Sequence, residues 1–463
     1  MKKLILSLVG ISLLFVSCSD DDNGNVTDLE TANFTVTIEN VVTPRPYFQG
    51  GLAAVPVGQS SPGAIGPGGV YEFTVQAGPN VLPGDGGTRL NFMTMFVQSN
   101  DLFLSPDGEG IMLFNDDGTP VTGDVTDQVL LWDAGTEVNE VTGSDNQKPQ
   151  QAPDAEDVGM DENGVVTQII GNSDGVNVLP DVSEVIRVTL ANTNGTEFTV
   201  RIENVSNGMT IATPAMGAGT TAAVPMSPVV YLVHTTPNPF FVTGEAASEG
   251  VENIAEDGFA MVENARVQAN TGLIIPISPG AWAIHELGVN PLFTSGSPDL
   301  GEGLEGIAED GTPGTLAASL SAKDGVIDSD LFNTPDGATD PSPVGPGNSY
   351  SFSFTASEGD YLSLATMSIQ SNDWIYTFDE SGIPLFNGIA PVTGDVTSSI
   401  QLYDVGTEAD EFPGAGLNQV IRQSGPNTGP ADANNLVREI TPSGNVPANN
   451  QVVRVTISVQ QPI

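Results

Sequence analysis

The sequence predicts an all-β chain of two tandem antiparallel β-sandwich units, with short helices in the second. Three observations predict it. Val, Thr, Ile and Phe are plentiful, and charged residues are only 15% of the chain, too few to cover many surface helices. Short runs alternate apolar and polar residues and are bounded by Gly, Pro, Asn and Ser. A long stretch also recurs: Ser99–Glu140 contains SND and then PVTGDVTDQVLLWDAGTEVNE, and Ser371–Glu411 contains SND and then PVTGDVTSSIQLYDVGTEADE. A repeat this long marks a duplicated domain, not a short solenoid.

Taken in order, Met1–Ser17 combine two lysines with an apolar run, a secretory signal too short to span a bilayer. Phe15-Val16-Ser17-Cys18 resembles the lipobox of bacterial lipoproteins, which implies cleavage before Cys18 and lipid attachment to its sulfur. The signal is therefore expected to occupy 1–18. Residues 19–32 read as a flexible acidic tether, and Ser19–Gly24 resemble the signal that exports such lipoproteins to the outer face of the outer membrane. Cys18 is the one cysteine, so the mature chain has no intrachain disulfide.

The first unit is expected over 33–191. Phe34, Val36 and Ile38 alternate with Thr35, Thr37 and Glu39, giving a half-buried strand. A Gly-, Pro- and Ser-rich loop follows over 50–69. Further strands are expected at Val70–Val75, Leu90–Val97, Val129–Trp132 and Glu184–Leu190. The second unit is expected over 192–463, because FTVRIENV at Phe198–Val205 nearly copies FTVTIENV at Phe34–Val41. Tyr350–Phe354, Leu362–Gln370 and Val453–Ile457 mirror strands of the first unit. This unit also holds a segment that is itself duplicated, 224–265 (VPMSPVVYLVH, GVENIAEDG) and 275–320 (IPISPGAWAIH, GLEGIAEDG). Each copy is expected to hold a strand, a loop and one short helix; Leu304, Ile307 and Ala308 share one helical face, and another helix is expected at 315–320. The first unit lacks this segment. It is either a truncated sandwich or is completed by 224–265 packing across the boundary, which both copies in one sandwich would exclude.

With 58 acids against 12 bases, the formal net charge is −46. A phosphate backbone would be repelled, so nucleic-acid binding is excluded. The acids are also patterned. Asp101, Asp133 and Glu137 correspond to Asp373, Asp404 and Glu408 at nearly the same spacing. Asp at strand ends often makes turns through its own backbone. The alternative is a calcium site, because calcium takes six to eight oxygens on adjustable loops, and Gly135 and Gly406 allow the tight turn between the paired acids.

SPGAWAIH, GLEGIAEDG, an apolar strand ending in SND, and W/Y-D-x-G-T-E in this order resemble the spondin domain of F-spondin and its bacterial relatives. The resemblance covers nearly all of 192–463, and 33–191 in shortened form. It implies a C2-like β-sandwich with calcium at one end, one Ca2+ per unit. The ligands it implies are Asp101, Asp133 and Glu137, then Asp373, Asp404 and Glu408, although the family often has Asp where Glu137 and Glu408 stand. It further implies a non-enzymatic adhesion or matrix-interaction module on the cell surface, with a membrane contact through the lipid anchor and an extracellular protein or glycan ligand. No G-x-S-x-G, H-E-x-x-H or P-loop pattern occurs, and His234 and His285 end apolar strands without catalytic partners in the pattern. The alternative is glycan capture, with Trp132 or Trp374 as a sugar platform; large aromatics of this kind are more often buried.

Overall fold

The computed structural model describes residues 29–78, 87–152, 155–444 and 446–460. The expected signal peptide, Cys18 and tether residues 19–28 lie outside them. The fold is all-β, with antiparallel sheets and four short helices among the described residues.

The longer elements are β1 (Thr31–Asn40), β2 (Tyr47–Ala53), β3 (Val70–Gln76), β4 (Arg89–Met95), β5 (Leu102–Pro106), β6 (Val129–Asp133), β7 (Ile186–Asn194), β8 (Glu197–Asn204) and β9 (Val229–His234). Helices α1 (Glu249–Asp257) and α2 (Met261–Ala269) follow, then β10 (Ile277–His285), α3 (Leu304–Asp310) and α4 (Gly314–Leu320). The chain continues through β11 (Val326–Phe332), β12 (Ser349–Ser357), β13 (Tyr361–Ser368), β14 (Trp374–Thr377), β15 (Gln401–Asp404) and β16 (Val453–Val459). Strand β1 starts at Thr31, inside the expected tether, and β2 lies partly in what reads as a Gly-rich loop.

The pairing does not follow the expected division at 191/192. A four-stranded sheet runs β3-β8-β7 and ends on Gly123–Asp124; a seven-stranded sheet runs β2-β9-β4-β5-β6. One core joins them, with Tyr71, Phe92, Leu104, Phe198 and Val233 among its buried side chains. The other half pairs β12-β1-β16 against β11-β10-β13-β14-β15 across a core that includes Phe34, Trp282, Tyr350, Tyr376 and Ile457. Strand β1 is thus central to the far half, with Phe34 opposite Phe354 on one side and Val459 on the other. Conversely β8 and β9, expected in the second unit, pair with β3, β2 and β4. The duplicated segments are shared out, one per half. The first half lies in the chain as an insertion between β1 and β10.

The strands in the core sheets alternate inward apolar side chains because a strand's side chains alternate faces. The outer face of each seven-stranded sheet is covered by one helix pair. Val251, Ile254 and Ala255 of α1 pack on Met93, Phe103 and Trp132. Leu304, Ile307 and Ala308 of α3, with Leu316 and Leu320 of α4, pack on Ala283, Met367 and Ile375. One short helix per copy and another at 315–320 are expected; the helix beyond these is α2, so each copy carries a pair.

The repeated sequences have local physical reasons. Helix α1 ends at Gly258 (φ 66°) and α3 at Gly311 (φ 63°), the left-handed cap that glycine favours. A Cβ at these glycines would lie 2.7 Å from the Ser227 Cβ and 2.8 Å from the Ser278 Cβ, so the AEDG glycine seats the helix against the SP motif. Those serines in turn accept hydrogen bonds from Met95 N and Met367 N, each at 2.9 Å.

The last residue of each IEN motif crosses between layers. Buried Asn40 donates to Ile275 O (2.8 Å) and Val344 O (3.2 Å) and accepts from Val42 N. Asn204 donates to Ile65 O (3.0 Å) and Val224 O (2.8 Å) and accepts from Ser206 N. Asn40→Ala removes the partner of Ile275 O and Val42 N and one of the two donors to Val344 O, which keeps Ile277 N, and a loss of about 2–4 kcal/mol in urea unfolding is expected. A loss below about 1 kcal/mol would mean that water replaces the amide.

Candidate functional site

Both repeated acid patterns lie at the same end of their sheets, between the last strands and the helix pair. Asp101 directly precedes β5 and Asp133 ends β6, where Leu102 faces Asp133 in register. Asp373 precedes β14 and Asp404 ends β15, where Trp374 faces Asp404.

Each residue of SND has a job. The Ser99 hydroxyl donates to Phe96 O and accepts from Leu102 N, holding the bend; Ser371 does the same with Ser368 O and Trp374 N. Asn100 accepts from Glu140 N and donates to Glu137 Oε2 at 3.2 Å. Asn372 repeats this toward Glu411 N and Glu408 Oε2. The Oδ2 atom of Asp101 accepts from Thr136 N (2.8 Å), Thr136 Oγ1 and Glu137 N (3.2 Å). Asp373 Oδ2 is held alike by Thr407 N (2.7 Å), Thr407 Oγ1 and Glu408 N (3.1 Å). The partner atom in each carboxylate, Asp101 Oδ1 and Asp373 Oδ1, is buried and has no hydrogen-bond partner. Both residues are 0% exposed.

Asp133 and Asp404 make the turns expected of such residues: each Oδ1 accepts from the N–H two residues on, Gly135 at 2.8 Å and Gly406 at 2.7 Å. Turn-making and site-building are thus performed by the same side chains. The charge is strained by burial. Burial, then the Asp133 charge, push Asp101 up to about 7. Burial pushes Asp373 up to about 6, and Asp404 is raised by burial and then by Asp373 and Asp410, against the pull of Arg438.

The fourth-residue acids point elsewhere. Glu137 Oε1 accepts from Gly159 N (2.6 Å) and Glu408 Oε1 from Gly429 N (2.7 Å). Any Cβ on these glycines would fall within 2.1–2.4 Å of the carboxylates. Each glutamate is therefore seated on the far side of the turn, by its Asn and Gly partners. The structure brings Asp101 to Asp133 and Asp373 to Asp404. It does not bring Glu137 or Glu408 to the same point: the acids within 4.8 Å of one another are Asp373, Asp404 and Asp410 in one group, and Glu137, Asp157 and Glu256 in another.

Five participants are missing from the sequence reading. Glu256 of α1 is 6% exposed and Glu309 of α3 is 2% exposed, each facing the Thr of the D-x-G-T-E turn. Burial pushes them up to about 8 and about 7. The repeated IAEDG was the available signal. Asp157, Asp410 and Arg438 had none, because each occurs in one copy only. Arg438 pairs with Asp404 and with Asp432 (2.7 Å), and comes within 4.0 Å of Asp410.

The donor set is all oxygen, which suits a hard cation such as Ca2+. Neither histidine joins it. His234 Nδ1 contacts Thr236 O, and His285 contacts Glu286 O and Ser363 Oγ. The tryptophans are at most 8% exposed, so none offers a ring face for sugar stacking. Trp132 packs against Phe241, Trp282 stacks on Phe352, and Trp374 donates to Asp410 Oδ1 at 2.6 Å. No helix among the described residues is long and apolar enough to cross a membrane. No protein-family model matches the chain, and no curated protein does either.

Proposed function

We propose that the acidic ends bind a divalent cation, calcium by the spondin resemblance, and that the protein is a cation-stiffened, non-enzymatic adhesion or matrix-interaction module held at the outer membrane through lipidated Cys18. One observation carries the cation reading. In both halves a wholly buried aspartate keeps one carboxylate oxygen without a partner, beside a second aspartate at a strand end. A buried carboxylate that lacks a partner is costly, and two close together repel. A cation at this point satisfies both. It would be held by Asp101 and Asp133, or by Asp373 and Asp404, and would fix the loops after β6 and β15. Those loops then form a rigid surface for a partner. The adhesive role follows from the spondin resemblance.

Calcium chloride is expected to raise the melting temperature saturably, with a midpoint of about 0.1–1 mM, since a ligand bound only by the folded state stabilises it. Asp101→Asn is expected to weaken that response. A melting curve that ignores calcium at 10 times this range, about 10 mM, would sink the cation reading. Adhesion is checked by retention of the lipid-free chain on extracellular matrix protein, which chelation should reverse.

A further inference from the structure

We propose that Arg438 is the resident cation of the second half, and that Asp101, Asp133 and Asn139 of the first half form the cluster that takes a divalent cation from solution. This rests on the cation reading above and assigns it to one half.

The two ends superpose in their hydrogen bonds, so their differences can be read position by position. Asn139 stands two residues after Glu137, and Asp410 two after Glu408. Thr167 faces Asp133 across the ladder, and Arg438 faces Asp404. From the first half to the second, Asn becomes Asp and Thr becomes Arg: one negative and one positive charge are added together. At these two positions the net charge is unchanged, but only the second half carries a positive charge.

In the second half that charge is on the site. The Arg438 guanidinium pairs with Asp404 Oδ2 and with Asp432 Oδ2 at 2.7 Å, and lies 4.0 Å from Asp410 Oδ2. It also donates to Asn434 O at 2.7 Å, which fixes its direction. Asp410 is anchored from behind by Trp374 Nε1. A guanidinium has five donors and no acceptor, so it can never become a ligand. A metal ion arriving here meets a like charge on the carboxylate it needs.

In the first half the corresponding partner of Asp133 Oδ2 is Asn139 Nδ2, at 2.8 Å. This amide is neutral. A half-turn of its terminal group exchanges the donor for an oxygen acceptor, the ligand type that calcium uses. Asp101 Oδ1 is buried and without a partner, and Asp101 adjoins Asp133: Leu102 faces Asp133 across the ladder, and Ala134 N donates to Asp101 O at 3.1 Å. The second half keeps the same orphan oxygen on Asp373, and a carboxylate oxygen of Asp373 lies within 4.8 Å of oxygens of Asp404 and Asp410. Its geometry is therefore competent, and it is the guanidinium that closes it.

The test is calorimetric titration of the intact chain with calcium chloride, using circular dichroism to verify folding of each variant. The wild type is expected to take one ion, lost in Asp101→Asn and kept in Asp373→Asn. Arg438→Gln is expected to expose a second site, or to tighten a weak one by at least about tenfold. Thr167→Arg supplies the converse. Placing a guanidinium opposite Asp133 should abolish or weaken the wild-type ion by a similar factor, and this arm decides the matter if Arg438→Gln does not fold. Two equal sites in the wild type overturn the proposal, as does a single ion that Asp373→Asn removes. One wild-type ion that neither arginine variant alters overturns the role of Arg438 alone and leaves cation binding standing. No binding in any variant overturns both.

Discussion

A chain divided between Ala191 and Asn192 is expected to yield two pieces that do not fold, whereas Thr43–Gly272 alone is expected to fold. The first piece would keep β3 without β8 and β4 without β9. It would lose Phe198, Val200, Ile202, Val229 and Val233 from its core, and Val251 and Ile254 from the outer face of its larger sheet. Open ladders and uncovered apolar faces of this size favour aggregation. The second piece would lack β1, which lies between β12 and β16 and buries Phe34, Val36 and Ile38. Thr43–Gly272 holds every strand of the first-half sheets, together with α1 and α2. Circular dichroism melting and size-exclusion chromatography check this. A cooperative transition in residues 33–191 would contradict the pairing.

The second large effect is on pH. In a chelator, the intact chain is expected to melt at a higher temperature at pH 5 than at pH 8. Asp101, Asp373, Asp404, Glu256 and Glu309 all have folded values raised above their ordinary 3.8 or 4.5, to between about 6 and about 8, chiefly by burial. The folded state thus holds these protons more tightly than the unfolded chain does. Its advantage is full below about pH 4 and is lost as pH rises through 6 to 8. Overall repulsion at −46 acts in the same direction. The double variant Glu256→Gln, Glu309→Gln separates the two causes, because it removes two buried acids and only two of the 58 acidic residues. A flatter pH profile is expected, with the gain at pH 8. An unaltered slope would assign the whole effect to surface charge. Calcium should narrow the difference between the two pH values, since it favours the ionised carboxylates.

Much of this was legible in the sequence. Period-two alternation located most of the long strands, and the duplication located Asp101, Asp133, Asp373 and Asp404. Partner choice was not legible. The strands carrying FTVTIENV and FTVRIENV present nearly the same apolar face, so either could complete either half, and only the tertiary arrangement decides. Spacing alone also does not say on which side of the loop Glu137 and Glu408 lie. A residue four positions on can turn to either side of the loop, and the side is set by glycines 21 and 22 residues away, Gly429 and Gly159. Strand β2 was hidden by Gly50 and Gly51, which read as loop. Those glycines allow close approach: a Cβ at Gly50 would fall 2.3 Å from a Val267 methyl of α2, and one at Gly51 would fall 2.7 Å from the Tyr231 hydroxyl.

The placement of β1 also sets an order of events. It precedes the other described strands in the chain, and the Thr35 hydroxyl finds its Ser353 partner 318 residues later. Until then an alternating apolar strand has no ladder to join. The contiguous first half can fold meanwhile, and in doing so it turns a long, entropically expensive closure into a short one. Assembly then runs from the middle of the chain outward. The slowest step is expected to be the capture of β1 by β12 and β16, more than 300 residues on, with β1 exposed in the interval to pairing with other chains.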